Sequence, residues 1–543
     1  MRPFWGKLLP MINRFLRLVL LWAACLLILA ACSAAPNTHT ANFTPGATPL
    51  LSTLTPDPTA ASALPFSTVA PTATPVVPSA TPLPSTGREA LPSTGREALP
   101  STGREALPPA PEPLTQYTLK ASFNYSRHML QVEQTIDYLN TSGQELNNLL
   151  LVVEPNRYPG GFKLNSLKVG DTVLNTFTLE NDQLKFSLTA PLPANRRLMV
   201  ALSFDLNLPV IPAPSNDIRA AIYGFSARQA NLIDWYPFIP PFQKGKDWVV
   251  HNPWFYGEHQ VYEKSNFQVE LNLVEPPANL SIAAAAQPDV AGSRYTFSHR
   301  NARNFTFSAS PMYVVYATTV GKTSVTSYAF TFDAPAGRTA LNDAAKALEV
   351  YNRLFGAYPH PSLTVVEADF HDGMEYDGLY FLSKGFYNTY DGTPKGYLTL
   401  IGVHETAHQW WYARVANDQA LEPWLDEAMA TYSELLYYAN VYPDLVKWWW
   451  SYRVDYFKPA GWVNQRIYDY SGSYPYRDGV YLRGAQFLDH IRQRVGDPAF
   501  FEFVKDYATR FQDQIVTTQD FFDTLQKHSP ADLSDLKKTF FKP

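Results

Sequence analysis

Cysteine is nearly absent from this chain: Cys25 and Cys32 are the only two in 543 residues. Both lie within the first 32 positions, so no disulfide can staple the 511 residues beyond Cys32. Stability there must come from packing or from a bound metal. Net charge is small as well. A balance of -5 and a pI near 6.1 supply no field that would draw nucleic acid or an acidic membrane surface, and no nucleic-acid partner is expected. A long apolar run occurs only near the N-terminus, and the chain is 46% hydrophobic and 14% aromatic overall, enough for two or three packed domains.

That apolar run, "LRLVLLWAACLLILAAC", comes after a basic stretch carrying Arg2, Lys7, Arg14 and Arg17, the two parts of an export signal. As a membrane-spanning anchor it is only marginally long for a hydrocarbon core of about 30 Å. Its last residues, Leu29 to Cys32, resemble the bacterial lipobox, in which small residues precede a cysteine that is lipidated and becomes the first mature residue. Residues 1–32 are therefore expected to be a lipoprotein signal peptide with Cys32 as the lipidation site. Either reading tethers the protein outside the cytoplasm, at a bacterial cytoplasmic or outer membrane.

Residues 33–113 are Ala, Thr, Ser and Pro, with 17 of the chain's 45 prolines. The segment lacks large apolar side chains to offset ordering entropy, and a disordered, partly polyproline linker is expected. At about 3.1 Å per residue it would reach on the order of 200 Å. It contains "LPSTGREA" three times, from Leu83, Leu91 and Leu99. The pentapeptide resembles a sortase signal, but that pattern needs a hydrophobic tail directly behind it, so the repeats are read as a duplicated spacer.

Residues 114–315 alternate apolar and polar side chains between Pro, Gly and Asn turns, in segments such as "YTLKASFNYS" and "FQVELNLVEP". This predicts an all-β domain, a sandwich or saddle. From residue 316 the texture changes. "RTALNDAAKALEVYNRLFG" carries helical spacing, "SLTVVEADF" reads as a strand, and helices are predicted near 397–414, 422–440, 481–496, 497–510 and 518–527. The second domain, 316–543, is thus expected to be α+β.

His404 and His408 stand four apart in "IGVHETAHQWW", with Glu405 beside them. On a helix their imidazoles share a face and converge on one ion, while Glu405 points at a water beside it. A catalytic zinc needs a third protein ligand and an open position. Glu427, in "EPWLDEAMATYSELL", is the candidate, nineteen residues after His408.

The spacing of His404, His408 and Glu427, with "WLDEAMATY" around the glutamate, resembles the gluzincin aminopeptidases, the aminopeptidase N-like zinc exopeptidases. "DGMEYDGL", residues 372–379, is similar to the family's Gly-Ala-Met-Glu-Asn motif, and "VYLRGAQFL", residues 480–488, to its Tyr-x-Lys-Gly-Ala string. "DWYPFIPP" and "YGEHQVYEKSNFQVEL" are similar to segments of bacterial members. The resemblance spans nearly all of residues 115–543. It implies a thermolysin-like catalytic domain and one zinc per chain on His404, His408 and Glu427. Glu405 would be the general base on the zinc-activated water, and Tyr481 the oxyanion donor. Glu375 would bind the substrate's free α-amine, with Gly373 and Met374 offering backbone groups to an extended peptide.

Some positions depart from the family pattern. The motif's first glycine is Asp372, its asparagine is Tyr376, and Asp377 replaces an aromatic. Asp426 stands for the asparagine before the zinc glutamate, and Arg483 for the lysine after the tyrosine. Little chain remains after the last predicted helix, so a cleft without the family's helical cap, open to longer peptides, is expected. Glu258 is read as a surface glutamate, with an amine contact as the alternative. His371 is read as a solvated loop residue, while His299, His360 and the other histidines show no ligand spacing. The expected function is removal of N-terminal residues from extracytoplasmic peptides. The alternatives are an endopeptidase or other hydrolase on the same scaffold, or a non-catalytic surface-binding lipoprotein.

Overall fold

The computed structural model describes residues 114–212 and 222–543. The signal, Cys32 and the repeats lie outside the described residues. No helix among the described residues is long and apolar enough to cross a membrane.

The N-terminal domain is built on an eight-stranded sheet. Its middle holds Thr115–Asn124, flanked antiparallel by Met129–Leu139 and parallel by Ser265–Leu273. The strict alternation of the sequence is the cause: Leu119, Ala121 and Phe123 are buried, while Lys120 faces out. A four-stranded and a three-stranded sheet complete the domain. Trp235 is fully buried against Tyr236 and Phe307. The β-rich expectation for this half holds.

The second domain opens on a five-stranded mixed sheet, in the order Tyr313–Val320, Thr323–Phe330, Ser362–Ala368, Leu379–Ser383, Gly373–Tyr376. Thr323–Phe330 and Ser362–Ala368 run parallel, and the helix Ala334–Phe355 makes the crossover between them. Every residue of Ser362–Ala368 is buried, which is why "SLTVVEA" reads as a run and not as an alternation. At the sheet's far edge Gly373–Tyr376 pairs on one side only, with Leu379–Ser383.

Two interior helices carry the chemistry. Tyr397–Ala407 is buried on every side from Leu398 onward, and Trp424–Val441 from Trp424 to Tyr438. The first is shorter than the expected 397–414. Beyond His408 the backbone folds back, with Tyr412 at φ 137 and the Ala413 N–H returning to the His408 carbonyl at 2.9 Å. The buried Arg303 guanidinium holds the carbonyls of Tyr412 and Ala413 at 2.7 and 2.9 Å, which removes them from any helical ladder. The later helices, Arg483–Val495, Asp497–Arg510 and Thr518–His528, match the predicted spans closely. The terminal Phe541 closes the core against Trp424 and Phe487.

Candidate active site

The last turn of the Tyr397–Ala407 helix and the first turn of Trp424–Val441 bring three ligand atoms together. His404 Nε2 and His408 Nε2 lie 3.1 Å apart, and Glu427 Oε2 is 3.2 Å from the first and 3.5 Å from the second. A tetrahedral zinc with bonds of about 2.0–2.1 Å separates its ligands by about 3.3 Å, so the spacing matches. The tautomers decide the fit. His404 Nδ1 donates to Glu434 Oε1 at 2.9 Å, and His408 Nδ1 donates to the Trp411 carbonyl at 2.9 Å. With Nδ1 so engaged, each imidazole in its neutral form presents its Nε2 lone pair toward the Glu427 oxygen, a set of three acceptors in one buried spot that suits a cation. The donor set, two imidazoles and one carboxylate, suits zinc.

Glu405 is buried beside this triad, and its Oε2 has no hydrogen-bond partner among the described residues. Burial pushes its carboxyl well above the ordinary range. His408 opposes that shift, while Glu375, Glu427 and Asp372 add to it. Gly373 passes so close that a Cβ there would overlap Glu405 Oε1. Glycine is needed at 373 to make room for the acid.

Tyr481 comes from a π-helical turn, Arg477–Leu482, in a separate segment of chain. Its hydroxyl donates to Glu427 Oε1 at 2.6 Å, and its ring stacks on His404 at 5.9 Å between centroids. Burial and the Glu427 charge hold the phenol well above its usual range, so it stays a donor.

At the other side of the ligands, carboxylate oxygens of Glu258, Glu375 and Glu427 all lie within 4.8 Å of one another. The reading of Glu258 as a surface glutamate is thus wrong. It is half-buried and faces the cleft, because Gly257, at φ 75, packs against Tyr476 and Ile467 where a Cβ would collide. His371 is exposed as expected, but it too lines the cleft. The cleft measures about 1170 Å³, and its outer walls include Trp254, Phe255, Tyr397, Phe457 and Tyr474.

Glu375 is held from two sides. Gln419 Nε2 donates to Glu375 Oε1 at 3.1 Å and to Asp426 Oδ2 at 3.0 Å. The turn behind it is clamped to the histidine helix by Gln409, whose Nε2 donates to the Tyr376 carbonyl and whose Oε1 accepts from the Gly378 N–H, both at 3.0 Å. Asp377 is fully buried and accepts from Lys264 Nζ at 2.9 Å, the Arg303 N–H at 2.9 Å and His360 Nε2 at 2.7 Å. Burial disfavours its charge, but Lys264 and His360 hold it well below the usual carboxylate range. Asp377 thereby pins the Gly373–Tyr376 strand to the β domain. His299 joins the same hub, with Nε2 3.0 Å from the Asp377 carbonyl oxygen. Linear spacing could not reveal it.

Sequence reasoning also missed Glu434, Gln419 and Gln409. Glu434 was within reach, since it lies seven residues after Glu427, two turns along the same helix face. Gln419 and Gln409 carry no spacing signal.

Residues 339–540 match the peptidase family M1 domain. Among curated relatives, Aminopeptidase M1-D of Oryza sativa subsp. japonica is 24% identical over 222 residues, covering 38% of this chain and 25% of its own. Aminopeptidase N of Streptomyces lividans is 28% identical over 153 residues, covering 26% and 18%. The chain spans a quarter or less of the length of these relatives. Among solved structures, an M1 zinc metallopeptidase from Deinococcus radiodurans bound to a Tyr-Ser-Ala substrate superposes with a TM-score of 0.57 at 17% identity, over 79% of this chain and 95% of that one. A two-domain M1 zinc metallopeptidase bound to L-arginine gives 0.56 at 16% identity, over 78% and 92%. Both share this chain's fold, a β-rich domain followed by an α+β domain. Residues 339–540 of this chain thus match the peptidase family M1 domain, and its fold is similar to that of the two M1 zinc metallopeptidases.

Proposed function

We propose that this protein is a zinc-dependent aminopeptidase acting on peptides with a free N-terminus. The observation that carries the reading is the pairing of Glu258 and Glu375 beside the three-ligand cluster, an acidic pocket whose carboxylate oxygens lie within 4.8 Å of Glu427. His404, His408 and Glu427 would hold the zinc, which would supply Lewis acidity and a more acidic water.

The chain's own groups do the rest. Glu375 and Glu258 pair with the substrate's α-ammonium and so measure distance from the N-terminus. The edge strand offers the backbone of Gly373 and Met374 to an extended peptide, as strand addition requires. Glu405, buried beside the cluster with a free Oε2, takes the proton of the attacking water and delivers it to the departing amine. The Tyr481 hydroxyl donates to the developing oxyanion. Gln409, Gln419 and Asp377 fix the relative positions of amine site and base.

The test is Glu405→Gln on the full chain. It should abolish hydrolysis of aminoacyl amides while retaining one zinc, and full activity in that variant would overturn the assignment of the base. The N-terminal motif supports an extracytoplasmic, lipid-anchored location. Cys32→Ser should lose incorporation of labelled fatty acid, and unchanged labelling would refute the anchor.

A further inference from the structure

The tryptophan run "WWW", residues 448–450, and the nearby Arg453 have no part in the proteolytic scheme above. Trp449 is fully buried, Arg453 nearly so, and both point at one carboxylate. Glu434 Oε2 accepts from Trp449 Nε1 at 3.1 Å and from Arg453 Nε at 2.9 Å, and Oε1 accepts from Arg453 Nη2 at 2.9 Å. Oε1 also accepts the His404 Nδ1 proton at 2.9 Å. Trp449 ends a short α-helix and Arg453 lies in the π-helical turn Trp450–Val454 that continues it; four apart, the two share a face and reach the same group. Glu434 therefore has its rotamer fixed by donors on both oxygens.

From this geometry we infer that Arg453, Trp449 and Glu434 form a positioning relay that sets the orientation and basicity of His404 as a metal ligand. Glu434 fixes the imidazole with Nδ1 protonated and Nε2 bare, and its charge raises the donor strength of that Nε2. Arg453 donates to both carboxylate oxygens, and this bidentate contact sets the plane of Glu434. Trp449 adds a second donor on Oε2. Arg453 also lines the cleft, whereas Glu434 and Trp449 are not among its lining residues, so the effect of those two should appear in metal binding before it appears in turnover. The inference rests on the proposed zinc site.

The experiment measures zinc dissociation constants of the full-length protein by competition with a chelator, alongside the melting temperature of the metal-free form. Wild type should bind one zinc. Glu434→Gln, which keeps an acceptor but loses the charge, should bind zinc about tenfold more weakly, and Glu434→Ala up to about a hundredfold. Trp449→Phe, which keeps the packed ring and loses only the donor, should weaken binding in the same direction by a few-fold, and it decides the matter if the Glu434 variants do not fold. Zinc affinity equal to wild type in every folded variant, whatever happens to the melting temperature, overturns the relay. Failure of the wild type itself to bind zinc overturns instead the reading of the metal site.

Discussion

The hydroxyl of Tyr481 lies 2.6 Å from Oε1 of Glu427, the carboxylate oxygen turned away from the two histidines. One oxygen of Glu427 is thus committed to the ligand cluster and the other stores the phenol beside the reacting centre. Tyr481→Phe removes this donor without changing the ring that stacks on His404. We expect kcat to fall by about 10²- to 10³-fold, as for loss of one oxyanion donor, with KM little changed and zinc content intact. Steady-state kinetics with metal analysis checks it, and a variant with wild-type kcat would remove Tyr481 from the mechanism.

Gly373 leaves no space for a methyl group beside Glu405. Gly373→Ala should displace the base and lower kcat at least tenfold, since a shift of about 1 Å in a catalytic group can cost 10²-fold. Zinc content should be unchanged. Wild-type kcat in this variant would mean that Glu405 has freedom the packing denies.

Asp372 adopts φ 104, a left-handed conformation where the family motif has glycine. The strain costs on the order of 1 kcal/mol for a side chain with a Cβ. Asp372→Gly should therefore raise resistance to chemical denaturation by about that amount. A lower denaturation midpoint would show that side-chain contacts of Asp372 outweigh its strain.

Glu367, buried in the strand Ser362–Ala368, accepts from the Phe330 N–H at 2.7 Å. Burial, with the neighbouring Asp333 carboxyl, pushes its pKa from 4.5 up to about 9. Between those values the folded state holds a proton that the unfolded chain has released, so stability is greatest below about pH 4.5 for this group and falls as pH rises toward 9. Glu367→Gln should flatten that decline. Unfolding measured at pH 5, 7 and 9 tests it, and parallel pH profiles for both proteins would contradict it.

The sequence made the fold and the convergence of His404, His408 and Glu427 legible for a physical reason: they are encoded locally. Alternation in "TLKASFN" and the fourfold spacing of His404 and His408 each reflect one element's period, and Glu427 sits in a helix with its own proline start. The amine site was only half legible. Glu375 lies in a motif, but Glu258 reaches the cleft by a loop whose course depends on Gly257 packing under Tyr476. The hub at Asp377 draws Lys264, Arg303 and His360 from three separate segments, and such long-range convergence leaves no periodic trace. The helix overrun past Ala407 has the same origin, because Arg303 ends that helix from another domain.

The central claim is that paired carboxylates make the site count from a free amine. The most direct measurement compares kcat/KM for an alanyl peptide and its N-acetylated form in wild type, Glu375→Gln and Glu258→Gln. The account predicts strong preference for the free amine in wild type, abolished by chelator, and a loss in each variant confined to the free-amine substrate. Efficient internal cleavage of the acetylated peptide by wild type, untouched by either substitution, would contradict it and identify an endopeptidase.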